Sequence, residues 1–253
     1  MSARVITLIV LACVFGSALL GIALRQVLPR QQLDGDAKDI VKLGLGLVSS
    51  LAALVLGLLV SSASTSFNAT SNELAATAIK IVQLDRTLSQ YGPETAEVRG
   101  LLAKGLATAV DAIFSNDRAR LALLDNPEAL VRTEGTLRAI RGLSPQNDEQ
   151  RELRSRALGL AYDAVDLRWP IILHVDDTIS TPVLVVLATW LCVIFLGWGL
   201  FAARTATLVT ALFIFAGCAS GAIFLILELD SPFTGWVRIS DLPMRTALAH
   251  LNQ

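Results

Sequence analysis

Four uncharged apolar runs divide the chain: Val5–Leu24, Leu43 to about Ala63, Pro182–Ala203 and Ala206–Leu227. Each approaches the roughly 20 residues that a helix needs to cross a bilayer, so each predicts a membrane helix. The first run is bounded by Arg4 and Arg25. It is longer than the roughly 7–15-residue core of a cleaved signal peptide, so a retained helix is expected there. Between the second and third runs the pattern changes. Val60, Phe67, Leu74, Ile81 and Leu88 recur every seven residues, with Ala78, Leu84 and Tyr91 filling in, and no glycine or proline interrupts the chain from Gly57 to Gly92. A heptad-like seam without breakers predicts that the second membrane helix continues as one rod to Tyr91-Gly92-Pro93. The Ser/Thr/Asn-rich stretch from Ser61 to Asn72 is where such a helix would break if it broke at all.

Helical periodicity resumes after Pro93 and runs to about Phe114, with Val98, Leu101, Leu102, Leu106, Val110 and Ile113 on one side. Turn signals at Asn116-Asp117 and Asn126-Pro127 set off short helices at Arg118–Leu124 and Pro127–Ile140. Ser144-Pro145 is placed to cap a further helix, and Pro170 to kink or interrupt it. Thr205 is an expected N-cap for the fourth membrane helix, and an amphipathic helix from about Leu242 to Leu251 closes the chain. No alternating strand pattern occurs. The expected fold is all-α: four transmembrane helices with a helical extramembrane bundle inserted between helices 2 and 3. The expected division is residues 1–63 (helices 1 and 2), 64–181 (helical domain), 182–230 (helices 3 and 4) and 231–253 (interfacial turn and short helix). Four crossings place both termini and the helical domain on one side.

Composition agrees with the membrane reading. Of 253 residues, 53% are hydrophobic and only 17% charged, with a mean hydropathy of +0.59. The formal net charge of −1 gives no basic footprint, so no nucleic-acid partner is expected. Cys13, Cys192 and Cys218 lie inside apolar runs without CxxC spacing, as small apolar fillers rather than a disulfide or zinc framework. His174-x-Asp176-Asp177 is the one metal-like spacing, and a solvated linker explains it better. With two histidines and no acid–base constellation, neither an enzyme nor a cofactor is expected, and no catalytic or metal-ligating residue is assigned.

Chemistry concentrates in two places. On the second helix, Gly46, Ser50, Ala53, Gly57 and Ser61 form a stripe of small residues at helical spacing beside a stripe of Leu47, Leu51, Leu54 and Leu58. The small stripe serves either close helix packing or the wall of a narrow polar path. On the fourth helix, Thr210, Gly217, Gly221, Phe224 and Glu228 share a face. A carboxylate is expensive in hydrocarbon, so Glu228 is expected to meet an arginine from the domain side, Arg86, Arg99 or Arg238, to line an ion path or titrate, or to snorkel to the interface. Asp230, Pro232, Phe233 and Gly235 read as a turn that redirects the chain along the membrane surface, with Phe233 and Trp236 as interfacial anchors.

These motifs carry a resemblance. Ala222-Ile223-Phe224-Leu225-Ile226-Leu227-Glu228-Leu229-Asp230-Ser231-Pro232-Phe233-Thr234-Gly235, followed by Ile239-Ser240, resembles the signature at the end of the last membrane helix of the bestrophin-like bacterial membrane proteins. Leu84-Asp85-Arg86 with Tyr91-Gly92-Pro93-Glu94 resembles that family's segment after the second helix. Trp190-Leu191 and Gly199-Leu200-Phe201-Ala202 are similar to its third helix. The family's hairpin usually reads Ala-Pro-x-Asn, where this chain has Ala202-Ala203-Arg204-Thr205. The resemblance implies a distant relation to bestrophins, which are pentameric anion channels with cytoplasmic termini. The expected function is therefore an oligomeric channel for small ions in the lipid bilayer of a bacterial inner membrane. The alternative is a non-conducting membrane scaffold or signalling protein, a dimer or monomer, whose helical domain binds a partner; a homo-oligomer is the leading expectation.

Overall fold

The computed structural model describes residues 3–27, 36–115, 127–166, 181–201, 205–233 and 235–251. The expected helix at Arg118–Leu124, the kink at Pro170, the His174 segment and the Ala202–Arg204 hairpin lie outside the described residues. In order, the helices are α1 (Ala3–Val27), α2 (Asp36–Tyr91), a 3-10 turn (Pro93–Thr95), α3 (Ala96–Phe114), α4 (Pro127–Arg141), α5 (Asp148–Asp166), α6 (Thr181–Phe201), α7 (Ala206–Leu229) and α8 (Leu242–Leu251). No strand occurs among the described residues. Four helices, α1, α2, α6 and α7, are long and apolar enough to cross a membrane. The fold is the all-α class expected, four membrane-length helices with a further helical region.

The α2 helix is continuous from Asp36 to Tyr91, 56 residues without a break through Ser61–Asn72. At 1.5 Å per residue it is about 84 Å long. Serine and threonine are poor helix formers because their hydroxyls compete for the backbone. Here those hydroxyls are bonded back into the helix: Ser50 donates to the Gly46 carbonyl at 3.0 Å and Thr65 to the Ser61 carbonyl at 2.9 Å.

The chain divides into two units, Met1–Ser66 with Thr178–Asp230, and Phe67–Asp177 with Ser231–Gln253. In the first, α1 packs against α6 and α7. The crossing of α1 and α6 is close because two glycines meet there. A methyl group on Gly21 would run into the Leu196 carbonyl, and one on Gly199 into the Ala18 carbonyl. Val10, Val14, Ala18 and Ile22 bury one side of α1, while Ala12, Gly16 and Ala23, small residues that share the nearly opposite helical face, are exposed. Phe15 and Phe213 meet edge-on at 5.2 Å between ring centroids, and Leu45 of α2 lies over Gly197 of α6.

In the second unit the heptad seam of α2 is the core. Leu74, Ala78 and Ile81 pack with Leu106, Val110 and Ile113 of α3 and with Met244, Ala247 and Leu251 of α8. Leu84 and Leu88 pack with Val98, Ile140, Ala157 and Ala161. Asn147, not Ser144, caps α5: its side-chain oxygen accepts from the Gln150 amide at 2.7 Å, while Gln150 reaches back to the Gln146 amide at 2.8 Å. Phe233 belongs to this core and not to an interface. It is buried and meets Phe114 edge-on at 6.4 Å.

Candidate functional site

The small stripe of α2 is the first part of the site. Gly46, Ser50, Ala53, Gly57 and Ser61 are all exposed. A methyl group added at Gly44, Gly46 or Gly57 would meet nothing within 4 Å. The side of α2 that packs on its own unit is different: Leu45, Val48, Ala52, Val55, Leu56, Leu59 and Ala63 are buried or half-buried there. Among the described residues, the stripe is therefore not used for packing within the chain. Leu47, Leu51, Leu54 and Leu58 are exposed beside it, so the free side of the helix carries one small, hydroxyl-bearing strip and one greasy strip.

The fourth membrane helix repeats the motif on a smaller scale. Thr210, Gly217 and Gly221 are exposed, and neither glycine has an atom within 4 Å of where a methyl group would stand. Glu228 shares their helical face, yet it is only 4% exposed. The stripe is open along most of α7 and covered at its last turn. Beside this face, Ser220 is 2% exposed, and its hydroxyl has no hydrogen-bond partner among the described residues. An unmade hydrogen bond of this kind costs about 1–3 kcal/mol. Sequence reading passed over Ser220 because a lone serine in an apolar run is ordinary.

Of the three arginines expected near Glu228, Arg99 is occupied. Its Nε donates to Asp85 Oδ1 at 2.7 Å and its Nη2 to Asp85 Oδ2 at 3.0 Å. Asp85 is 6% exposed. The hydrogen bond that Arg99 donates to Asp85 holds the Arg99 pKa above its ordinary value. Arg238 Nε donates to the Gly235 carbonyl at 2.7 Å, and Arg86 is exposed.

The Asp85–Arg99 fork belongs to a clamp that closes the end of α2. Gly92 takes a φ of 141°, open to glycine and strained for other residues. The Thr95 hydroxyl lies 2.6 Å from the Leu88 carbonyl and 2.8 Å from the Gly92 carbonyl. Gln150 Nε2 donates to the Tyr91 carbonyl at 3.0 Å. Carbonyls of the final turn, orphaned in any helix, are thus satisfied from α3's entry and from α5. Neither the Asp85–Arg99 pairing nor the roles of Thr95 and Gln150 were legible, since charges on different helices give no periodic signal.

The clamp makes a testable demand. The exposed Lys80–Asp163 pair at 3.0 Å adds little. The Asp85–Arg99 fork is bidentate and mostly buried, with the Arg99 side chain 31% exposed. Asp85→Asn should cost about 2 kcal/mol, less than a fully buried pair because Arg99 keeps some contact with water. Thermal unfolding of the detergent-purified protein should fall by roughly 6 °C. An unchanged midpoint would show that the fork contributes nothing.

The turn after α7 is closed and specific. The Asp230 amide donates to the Ile226 carbonyl at 3.1 Å, ending the helix, and the Ile239 amide donates to the Pro232 carbonyl at 3.0 Å, closing the loop. Gly235 has a φ of 124°. Asp230, Pro232 and Gly235 shape the loop while Phe233 ties it to the α2–α3–α8 core.

The Bestrophin-like domain family model matches residues 12–244. No curated protein and no solved structure matches the chain. The matched range takes in α1 from Ala12 onward, the whole of α2, α6 and α7, the clamp at the end of α2 and the turn after α7.

Proposed function

The chain belongs to the bestrophin-like family of membrane proteins, and on that premise we propose that it is the subunit of an oligomeric channel for small ions, anions among them. The observation that carries the reading is the free side of α2. Hydrocarbon offers a glycine–serine strip no favourable contact, whereas another helix can approach it closely, and a ring of such strips leaves an uncharged polar lumen. Ser50 and Thr65 have already donated their protons to their own helix. Their oxygens and the backbone behind the glycines would form a weakly binding wall, suited to passage rather than capture. Gly217 and Gly221 would give α7 a second close-approach strip against a neighbouring copy. Glu228 is a buried carboxyl group at the end of that strip and would set local potential or tie the assembly together. An even number of crossings puts both termini on one face of the membrane. The resemblance supports the cytoplasmic face of a bacterial inner membrane.

Flux measurement tests the proposal. Purified protein in liposomes should pass anions faster than empty vesicles, and Glu228→Gln should change the rate or the subunit mass. Absence of flux for both anions and cations would overturn it. A non-conducting scaffold is the second reading, favoured by the exposed Ile79 and Leu101 of the helical unit. It predicts no flux together with capture of a defined soluble partner.

A further inference from the structure

The loop after α7 carries an indole that is mostly exposed. Its base is fixed, because Phe233 and Ile239 are both buried in one core and the Ile239 amide closes the loop onto Pro232. Gly235 turns the tip with its positive φ. Between the two pinned residues, Trp236 is 73% exposed, and three residues beyond Ile239, Leu242 is 67% exposed. Arg238 is exposed and braced by its bond to the Gly235 carbonyl. Arg245 is exposed on α8 and paired with Asp241. A loop that buries one aromatic ring and holds another outward has sorted them. Burial of Trp236 in water-facing protein would be favourable, so its exposure asks for a different apolar surface.

The chain path identifies that surface. Trp236 stands seven residues past Leu229, where α7 ends, and seven residues span at most about 25 Å. The loop cannot leave the neighbourhood of the leaflet in which the last membrane helix terminates. Tryptophan is the side chain most suited to the headgroup layer, with an apolar body and one N–H donor. Arginine beside it suits lipid phosphate. We propose that the 235–245 segment is a lipid-docking surface: Trp236 and Leu242 enter the headgroup layer, and Arg238 and Arg245 contact anionic lipid phosphates. Arg245 would do so over its Asp241 partner, leaving the segment with a net positive charge.

The test uses the full chain with Cys13, Cys192 and Cys218 replaced by alanine and a nitroxide attached through Trp236→Cys. The protein is placed in bilayers of phosphatidylcholine and phosphatidylglycerol. The label should be relaxed more by oxygen than by an aqueous nickel chelate, relative to a label at the exposed position Glu152→Cys on α5. Omitting phosphatidylglycerol, or introducing Arg238→Glu with Arg245→Glu, should shift the label toward the aqueous value. A label at Trp236→Cys that matches Glu152→Cys would overturn the proposal. So would dipolar broadening between labels, which would place a second copy on the loop. If the cysteine-free chain does not fold, the wild type and Trp236→Phe serve instead. Headgroup-proximal brominated lipids should quench the emission lost in Trp236→Phe, and quenching of that fraction by acrylamide alone would overturn the proposal.

Discussion

Gly199→Leu should prevent the membrane unit from packing, whereas an equally large side chain on the free side of α2 should not. Gly199 and Gly21 face each other where α1 crosses α6, and each lies against the other helix's backbone. A methyl group at Gly199 already meets the Ala18 carbonyl and lies 3.2 Å from the Ile22 amide nitrogen. Backbone cannot rotate aside as a side chain can. The helices must separate, and separation strips contact from Val14, Ala18, Ile22, Leu191 and Ile194 along the seam. Overpacking in a dense core costs typically about 1–3 kcal/mol, and a leucine forced onto backbone should exceed that range. The expected result is little monodisperse protein after detergent extraction, and an unfolding midpoint at least roughly 10 °C lower for what is recovered. A wild-type midpoint for Gly199→Leu would show that the crossing is not close in the membrane.

Gly57→Leu should have the opposite signature: a stable subunit that neither assembles nor conducts. Nothing lies within 4 Å of a methyl group at Gly57, so the subunit itself has room. Replacing a mid-helix glycine adds up to about 1 kcal/mol of helix propensity. In an assembly in which small strips face one another or a lumen, an isobutyl group would wedge the copies apart or plug the path. Unfolding of the subunit should be unchanged or slightly raised, while the oligomer mass falls or the flux disappears. Gly57→Ala, adding only a methyl group, should do much less. A fully assembled, fully conducting Gly57→Leu protein would remove the small strip from the mechanism.

What could be read in advance divides along physical lines. The four membrane lengths follow from hydropathy, because an apolar run of that length has few alternatives. The reach of α2 to Tyr91 follows from the seven-residue seam, whose members Leu74, Ile81 and Leu88 are buried. Which side of a membrane helix faces protein is a different matter. Lipid is as apolar as a core, so hydrophobicity carries no inside–outside signal there. Small residues mark close approach but do not say to what. Ala12 and Gly16 are exposed, while Gly21 makes the contact. Gly46 and Gly57, likewise small, are exposed with nothing within 4 Å of where a methyl group would stand. In the turn after α7, Phe233 and Trp236 carry the same aromatic signal and end in opposite environments. Only the closure of the loop onto Pro232 decides between them. Asp85 and Arg99 lie 14 residues apart on separate helices, and their pairing depends on the hairpin that Gly92 and Thr95 make.

The mass of the purified protein in a bilayer nanodisc or mild detergent tests the central claim most directly. If the free side of α2 faces other copies around a common axis, the protein should be a closed ring of about four or more 27.0-kDa subunits. Gly57→Leu should shift that mass downward while leaving each subunit folded. A wild-type protein that remains a monomer at every concentration would contradict the account, because no shared central path could then exist.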